Sequence, residues 1–223
     1  TIQNLKEIGK IAKENNILFH TDCVQSFTKL PINVKEANIT SLSLSAHKIH
    51  GPKGVGALYL RNGLKKHALC FGGGQEKGLR PGTENMPGIL GFAKATEQKH
   101  PKRKIENLRK YFVKEIQKSL LSAIINSPKK AIHTIINISF PRIDGEILLC
   151  HLNNKNIFVA TGSACSEHKR APSHVLLAMG RSKDQAQSAI RFSLSKYTTK
   201  KEIDYTLKEL KNIVEALETI NSL

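Results

Sequence analysis

Residues 40–44 alternate small polar side chains with leucine, and the run stops at Ser45-Ala46-His47-Lys48. Alternation with a period of two is the pattern of a strand with one polar face, which predicts Lys48 just beyond a strand end. The apolar run Ile17-Leu18-Phe19-His20, ending in Thr21-Asp22, has the composition of a buried parallel strand. A third strand is expected over residues 55–60, entered through Gly51-Pro52-Lys53-Gly54.

Between and after these runs the period becomes helical. Ile2, Leu5, Ile8 and Ile11 lie on one helical face, and residues 87–99 form a second helix that Pro101 ends. Ile105, Leu108, Phe112, Ile116 and Leu120 then recur at spacings of three and four. Strands are expected over 132–140 and 157–160, and helices over 145–152 and 172–179, the latter with Pro172 in its first turn and Gly180 beyond its end. Ser182 with Gln185, and Thr199 with Glu202, have capping-box spacing. The last helix turns Ile203, Leu207, Leu210, Val214 and Leu217 inward. Strands alternating with helices predict an α/β fold, with a domain change within residues 88–104, where the parallel-strand pattern stops.

At 223 residues there is enough chain for a real core, which aliphatic residues must build because Trp is absent. The net charge of +17 would suit an acidic partner, but the lysines are spread along helices (Lys6, Lys10 and Lys13; Lys208 and Lys211), which reads as solvated faces. No nucleic-acid-binding motif accompanies them, so direct nucleic-acid binding is not expected. Cys23, Cys70, Cys150 and Cys165 form no CxxC pair, which argues against structural zinc and a disulfide scaffold, and for a reducing cytoplasmic compartment. Cys70 and Cys150 stand in apolar runs and are expected in the core. No apolar run is long enough for a membrane span, and no signal peptide is visible.

Five places in the chain carry chemistry. Lys48, with His47, His50 and Lys53 around it, is either a solvated loop lysine or an amine deprotonated by its surroundings for Schiff-base formation. Asp22 either caps a helix from the strand end or meets a cation such as a pyridinium nitrogen, with Gln25 one turn on able to reach the same ligand. Ser45 and His47 flank Ala46 and point to one side, where they can share a phosphate. Cys165 sits in Ala160-Thr161-Gly162-Ser163-Ala164-Cys165-Ser166, which has little bulk to hold it, and His168, Lys169 and Arg170 follow; this favours a reactive thiolate. Arg191, alone in a strand-like segment, needs a carboxylate, either a substrate's or a structural one. Two phosphate motifs fail: Gly51, Gly54 and Gly56 precede a strand where a dinucleotide fingerprint should follow one, and Gly72-Gly73-Gly74 lacks the Gly-Lys-Ser/Thr of a Walker loop.

Taken together, His20-Thr21-Asp22-Cys23-Val24-Gln25, Ser45-Ala46-His47-Lys48-Ile49-His50-Gly51-Pro52-Lys53-Gly54, Gly72-Gly73-Gly74-Gln75-Glu76, Arg80-Pro81-Gly82-Thr83-Glu84-Asn85 and Thr161-Gly162-Ser163-Ala164-Cys165-Ser166 closely resemble the group I cysteine desulfurases (NifS/IscS type). These are class V, fold-type I pyridoxal-phosphate enzymes. The resemblance implies an incomplete large cofactor domain over residues 1–90, then a bridging helix and a small α+β domain over 91–223 carrying the Cys165 loop. It implies that Lys48 binds pyridoxal 5'-phosphate, that Asp22 pairs with the ring nitrogen and Gln25 with the ring hydroxyl, and that Ser45, Ala46 and His47 hold the phosphate. Thr83 would reach the phosphate of the other subunit of a homodimer, and Arg191 would bind the α-carboxylate of L-cysteine. Cys165 would take the substrate sulfur as a persulfide, leaving L-alanine, and pass it to an iron–sulfur scaffold or a tRNA-thiolation protein. A transient iron–sulfur contact at Cys165 through that persulfide is implied too.

Cys23 and Pro81 depart from the family, which has small residues at both positions. The resemblance also implies further chain before Thr1, with the histidine that stacks on the ring. Two other readings compete: another pyridoxal-phosphate lyase or aminotransferase, for which a mobile thiol is superfluous, and a truncated chain that only binds a partner.

Overall fold

The computed structural model describes residues 1–64, 67–162 and 171–220. Two compact units divide them: Gln3–His100, and Pro101–Leu223 together with Thr1 and Ile2.

The first unit begins with α1 (Leu5–Glu14), capped by Asn4, whose side chain accepts the Glu7 N–H. A three-stranded sheet follows, with order β1 (His20–Asp22), β2 (Ser41–Ser45), β3 (Gly56–Leu60). β1 runs parallel to β2, with Asp22 opposite Ser43, and β3 is antiparallel to β2. Helix α2 (Met86–Thr96) closes the unit, packing Phe92 and Ala95 on Ala46 and Ile49. Because those contacts hold α2 to the Lys48 turn, the division between the units falls after it.

The stripe of α1 that packs is rotated from the expected one. Gly9 is its buried residue, and Leu5 reaches the cluster of Cys23, Ala37, Ile39 and Leu42. A Cβ on Gly9 would lie 1.8 Å from the Ala37 carbonyl oxygen, so the helix approaches where a small residue permits it. Ile8 and Ile11 consequently face outward. The expected buried strand at residues 17–20 is likewise corrected: Ile17 is 63% and Leu18 73% exposed, because pairing begins only at His20, on an edge strand.

The second unit is an α+β layer. Its antiparallel sheet has the order β4 (Ile124–Ile125), β5 (Ile135–Ser139), β6 (Ala189–Ser193). Helices α3 (Lys102–Ser119), α4 (Gly145–Asn153) and α7 (Lys200–Ile220) pack over it, with short helices α5 (His174–Ala178) and α6 (Lys183–Gln187) before β6. Ile105, Leu108, Phe112 and Ile116 are the buried stripe of α3, as their spacing predicts. They meet Ile136, Ile138, Ile190 and Phe192 of the sheet and Leu210 and Val214 of α7.

Residues 157–160 make a single bridge, Ala160 to Arg191, rather than the expected strand. Cys70 and Cys150 are exposed, not core. Cys150 lies two residues beyond the buried Leu148, about 200° around α4, and so on its outer side. Cys70 lies in a loop between Leu69 and Phe71, which are 94% and 90% exposed.

Candidate active site

Parallel pairing brings the C-terminal ends of β1 and β2 to one edge of the first sheet, where ligands of open α/β sheets bind. Asp22 ends β1 and Ser45 ends β2. Beyond Ser45 the chain makes a single 3₁₀ turn, Ala46–Ile49, that ends at His50 in the left-handed region (φ 65°). The turn is rooted by Ala46, fully buried, whose N–H donates to the Val55 carbonyl at 3.1 Å. Ile49 is buried beside it and Lys48 is half-buried between them.

Ser45 Oγ and His47 Nδ1 lie 2.9 Å apart, on one side as expected, but it is the 3₁₀ turn after the strand, not strand alternation, that brings them together. Asp22 is exposed, and its Oδ1 accepts the Val24 N–H at 2.8 Å, leaving the carboxylate at the strand end. The expected helix cap is corrected to a turn cap, since residues 24–29 make turns and no helix follows the strand. Gln25 stands in the turn that follows, with its Oε1 accepting from Lys29 Nζ at 3.3 Å. Lys29 was missed by the sequence reading, although four residues from Gln25 is the separation of successive turns. Burial first, and then the Lys48 ammonium, hold the Lys29 amine below the ordinary lysine range.

Thr83 belongs to a separate loop, which is tied internally. Arg80 Nη1 donates to the carbonyls of Gly82 (3.1 Å) and Thr83 (3.4 Å), and the Gly82 N–H donates to Gln75 Oε1 at 3.2 Å.

Arg191 is in the second unit, in the middle of β6 opposite Asn137. Its backbone N–H donates to the Ala160 carbonyl (2.6 Å) and its carbonyl accepts the Ala160 N–H (3.2 Å). Its Nη1 donates to the Gly162 carbonyl at 2.9 Å, and its Nε is buried without a hydrogen-bond partner among the described residues. A buried guanidinium N–H with no acceptor is a place for an oxygen of a ligand. Thr161 Oγ1 donates to Glu146 Oε1 at 2.6 Å, a second tie on the same segment, with no periodic signal in the sequence to announce it. Cys165 lies outside the described residues. Among the described residues no cluster of His, Cys, Asp or Glu could hold a metal ion, and no helix is long and apolar enough to cross a membrane.

The donor set on the first unit suits a phosphorylated pyridine aldehyde. It offers an amine for the aldehyde, a carboxylate for a protonated ring nitrogen, an amide for the ring oxygen, and a hydroxyl and imidazole for the phosphate.

Comparison with known proteins agrees with that chemistry. Residues 1–206 match the model of the aminotransferase class-V family. The cysteine desulfurase IscS of Dictyoglomus turgidum is 46% identical over 99% of this chain, which spans 58% of that relative. A NifS-like protein of Rickettsia africae has a crystal structure that superposes with a TM-score of 0.86 at 32% identity, covering 96% of this chain and 58% of that one. A solved complex named SspA with cysteine is 39% identical with a TM-score of 0.74, over 89% of this chain and 56% of that one. The chain thus spans a little over half the length of the relatives it matches.

Proposed function

From the premise that this chain belongs to the aminotransferase class-V family, we propose that the whole protein is a cysteine desulfurase dependent on pyridoxal 5'-phosphate. The observation that carries the reading is the edge where Asp22, Ser45, His47 and Lys48 converge on two adjacent parallel strand ends. In this reading the first unit is the C-terminal part of a large cofactor-binding domain, and the second is a small domain that presents Arg191 and Cys165.

Lys48 would hold the aldehyde of pyridoxal phosphate through its amine and, in the reaction, would carry a proton to or from the substrate. The Asp22 carboxylate keeps the ring nitrogen protonated; Gln25 donates to the ring oxygen; Ser45 and His47 bind the phosphate, with Ala46 as the buried root between them. Pyridoxal phosphate held there supplies an electron sink for the carbon attached to the substrate amine. Arg191, whose Nε is buried and without a partner among the described residues, would bind the substrate carboxylate. The Cys165 thiolate attacks the sulfur of L-cysteine: the Cβ–S bond breaks, an S–S bond forms on Cys165, and Cβ takes up a proton. The products are L-alanine and a Cys165 persulfide, so atoms and electrons balance with no external oxidant.

Thr83 serves the phosphate of a second subunit, which makes the working form a homodimer in the cytoplasm. The persulfide passes to an acceptor protein such as an iron–sulfur scaffold or a tRNA-thiolation protein. The test is full-length holoprotein with L-cysteine under reducing conditions, assayed for L-alanine and sulfide. Equal yields support the reading; a keto acid in place of alanine would make it an aminotransferase or another lyase.

A further inference from the structure

We propose that Lys29 is a positioning residue for the Gln25 amide: it fixes which end of that amide faces the ligand. The inference rests on the reading of Gln25 as a ligand of the cofactor ring.

A glutamine amide carries an acceptor and a donor of nearly equal size, and either end can be presented to a partner. An ammonium group has only donors. Lys29 Nζ at 3.3 Å from Gln25 Oε1 therefore claims the acceptor end and turns the NH₂ outward. An outward NH₂ is what a ring oxygen carrying negative charge requires, whereas an outward carbonyl would repel it.

The backbone makes this arrangement specific. Residues 23–30 form a wound turn: the Phe27 N–H donates to the Cys23 carbonyl (2.8 Å) and the Leu30 N–H to the Ser26 carbonyl (2.9 Å). The turn is anchored on Cys23, which is fully buried, and Thr28 takes a left-handed conformation within it (φ 61°), so the closeness of Gln25 and Lys29 is set by this turn rather than by a regular helix.

Nor is Lys29 explained as a solvated or ion-paired residue. It is half-buried, and both influences on its charge, burial and Lys48, disfavour the cation without a carboxylate to offset them. A cation kept in that position has a demand to meet, and among the described residues the hydrogen bond to Gln25 meets it.

The experiment uses full-length protein loaded with pyridoxal phosphate. It compares Lys29→Met, Lys29→Arg, Gln25→Ala and the double variant Lys29→Met/Gln25→Ala by cofactor Kd and by the visible absorption maximum of the resting holoprotein. Loss of one charge-assisted bond is expected to weaken cofactor binding by roughly tenfold in Gln25→Ala. Lys29→Met should weaken it severalfold and move the absorption maximum in the same direction. Lys29→Arg, which still donates, should stay near wild type, and the double variant should be no worse than Gln25→Ala.

Wild-type Kd and spectrum in Lys29→Met beside a changed Gln25→Ala would overturn the role of Lys29 alone. So would losses that simply add in the double variant. Unchanged Kd and spectrum in Gln25→Ala would overturn the reading of Gln25 itself. Should Lys29→Met fail to fold, Lys29→Leu provides the same comparison, since it too has no donor for the Gln25 carbonyl.

Discussion

Arg191 Nη1 donates to the carbonyl oxygen of Gly162 at 2.9 Å, tying the middle of β6 to the segment that leads to Cys165. The same guanidinium keeps its Nε buried and without a partner among the described residues. In the proposed reaction, one side chain would then anchor the segment before Cys165 and keep a donor for the substrate carboxylate.

Arg191→Lys removes the fork while keeping the charge. In full-length enzyme KM for L-cysteine is expected to rise ~10-fold or more, because a point charge cannot hold a carboxylate and the Gly162 carbonyl together. Steady-state kinetics checks this, and an unchanged KM would remove Arg191 from substrate binding.

Gly9→Ala should destabilise the first unit. The new methyl carbon meets the Ala37 carbonyl oxygen, and overpacking of this kind costs roughly 1–3 kcal/mol. The urea midpoint of Gly9→Ala should fall accordingly, whereas Ile11→Ser, on the exposed side of the helix, should leave it nearly unchanged.

Ser182 and Gln185 form a reciprocal capping box at α6, immediately before the strand that carries Arg191. Ser182→Ala is expected to cost about 1 kcal/mol of unfolding free energy. Ser182→Asp, which can still accept the Gln185 N–H, should recover most of it in the same denaturation assay.

Tyr111 Oη donates to Asp204 Oδ1 at 2.8 Å, and Lys200 Nζ donates to both Asp204 oxygens at 2.9 and 2.7 Å, bracing α3 against α7. Hydrogen bonds from Lys200 and Tyr111 hold the Asp204 carboxyl below its ordinary range, and Asp204 first, then Tyr111, hold Lys200 above its own. A depressed carboxyl contributes stability above its unfolded pKa and loses it as pH falls through the folded value. A raised amine contributes below its unfolded pKa and loses it as pH rises through the folded one. The gap between wild type and Asp204→Asn should therefore be widest between about pH 4 and about pH 10, and shrink on either side. Urea midpoints at neutral and strongly acid pH would show it; a gap that grows in acid would contradict the brace.

What the sequence reveals depends on how local the cause is. The inward stripe of α3 is read directly from spacing, as is the capping box at Ser182. The stripe of α1 is not, because a glycine packs where isoleucines were expected: the determinant is the Ala37 carbonyl, far away in sequence. Cys150 was misplaced because an apolar run does not say which of its residues face out of a helix. At the site, the alternation before Lys48 is local and legible and ends the strand at Ser45; the 3₁₀ turn that then brings His47 beside Ser45 is not part of that period. The parallel register that sets Asp22 opposite Ser43 is non-local and has no sequence signature. Lys29 escaped because four-residue spacing carries no message until the turn around it is known to be wound.

The central claim is that one sulfur atom moves from L-cysteine to Cys165. Full-length holoprotein should be mixed with one equivalent of L-cysteine, without reductant, and its peptides read by mass spectrometry. The account predicts one extra sulfur on the Cys165 peptide, an equal amount of L-alanine, and neither product in Lys48→Ala. L-alanine formed at the wild-type rate in Cys165→Ser, or sulfur found on Cys23, Cys70 or Cys150 and never on Cys165, would contradict it.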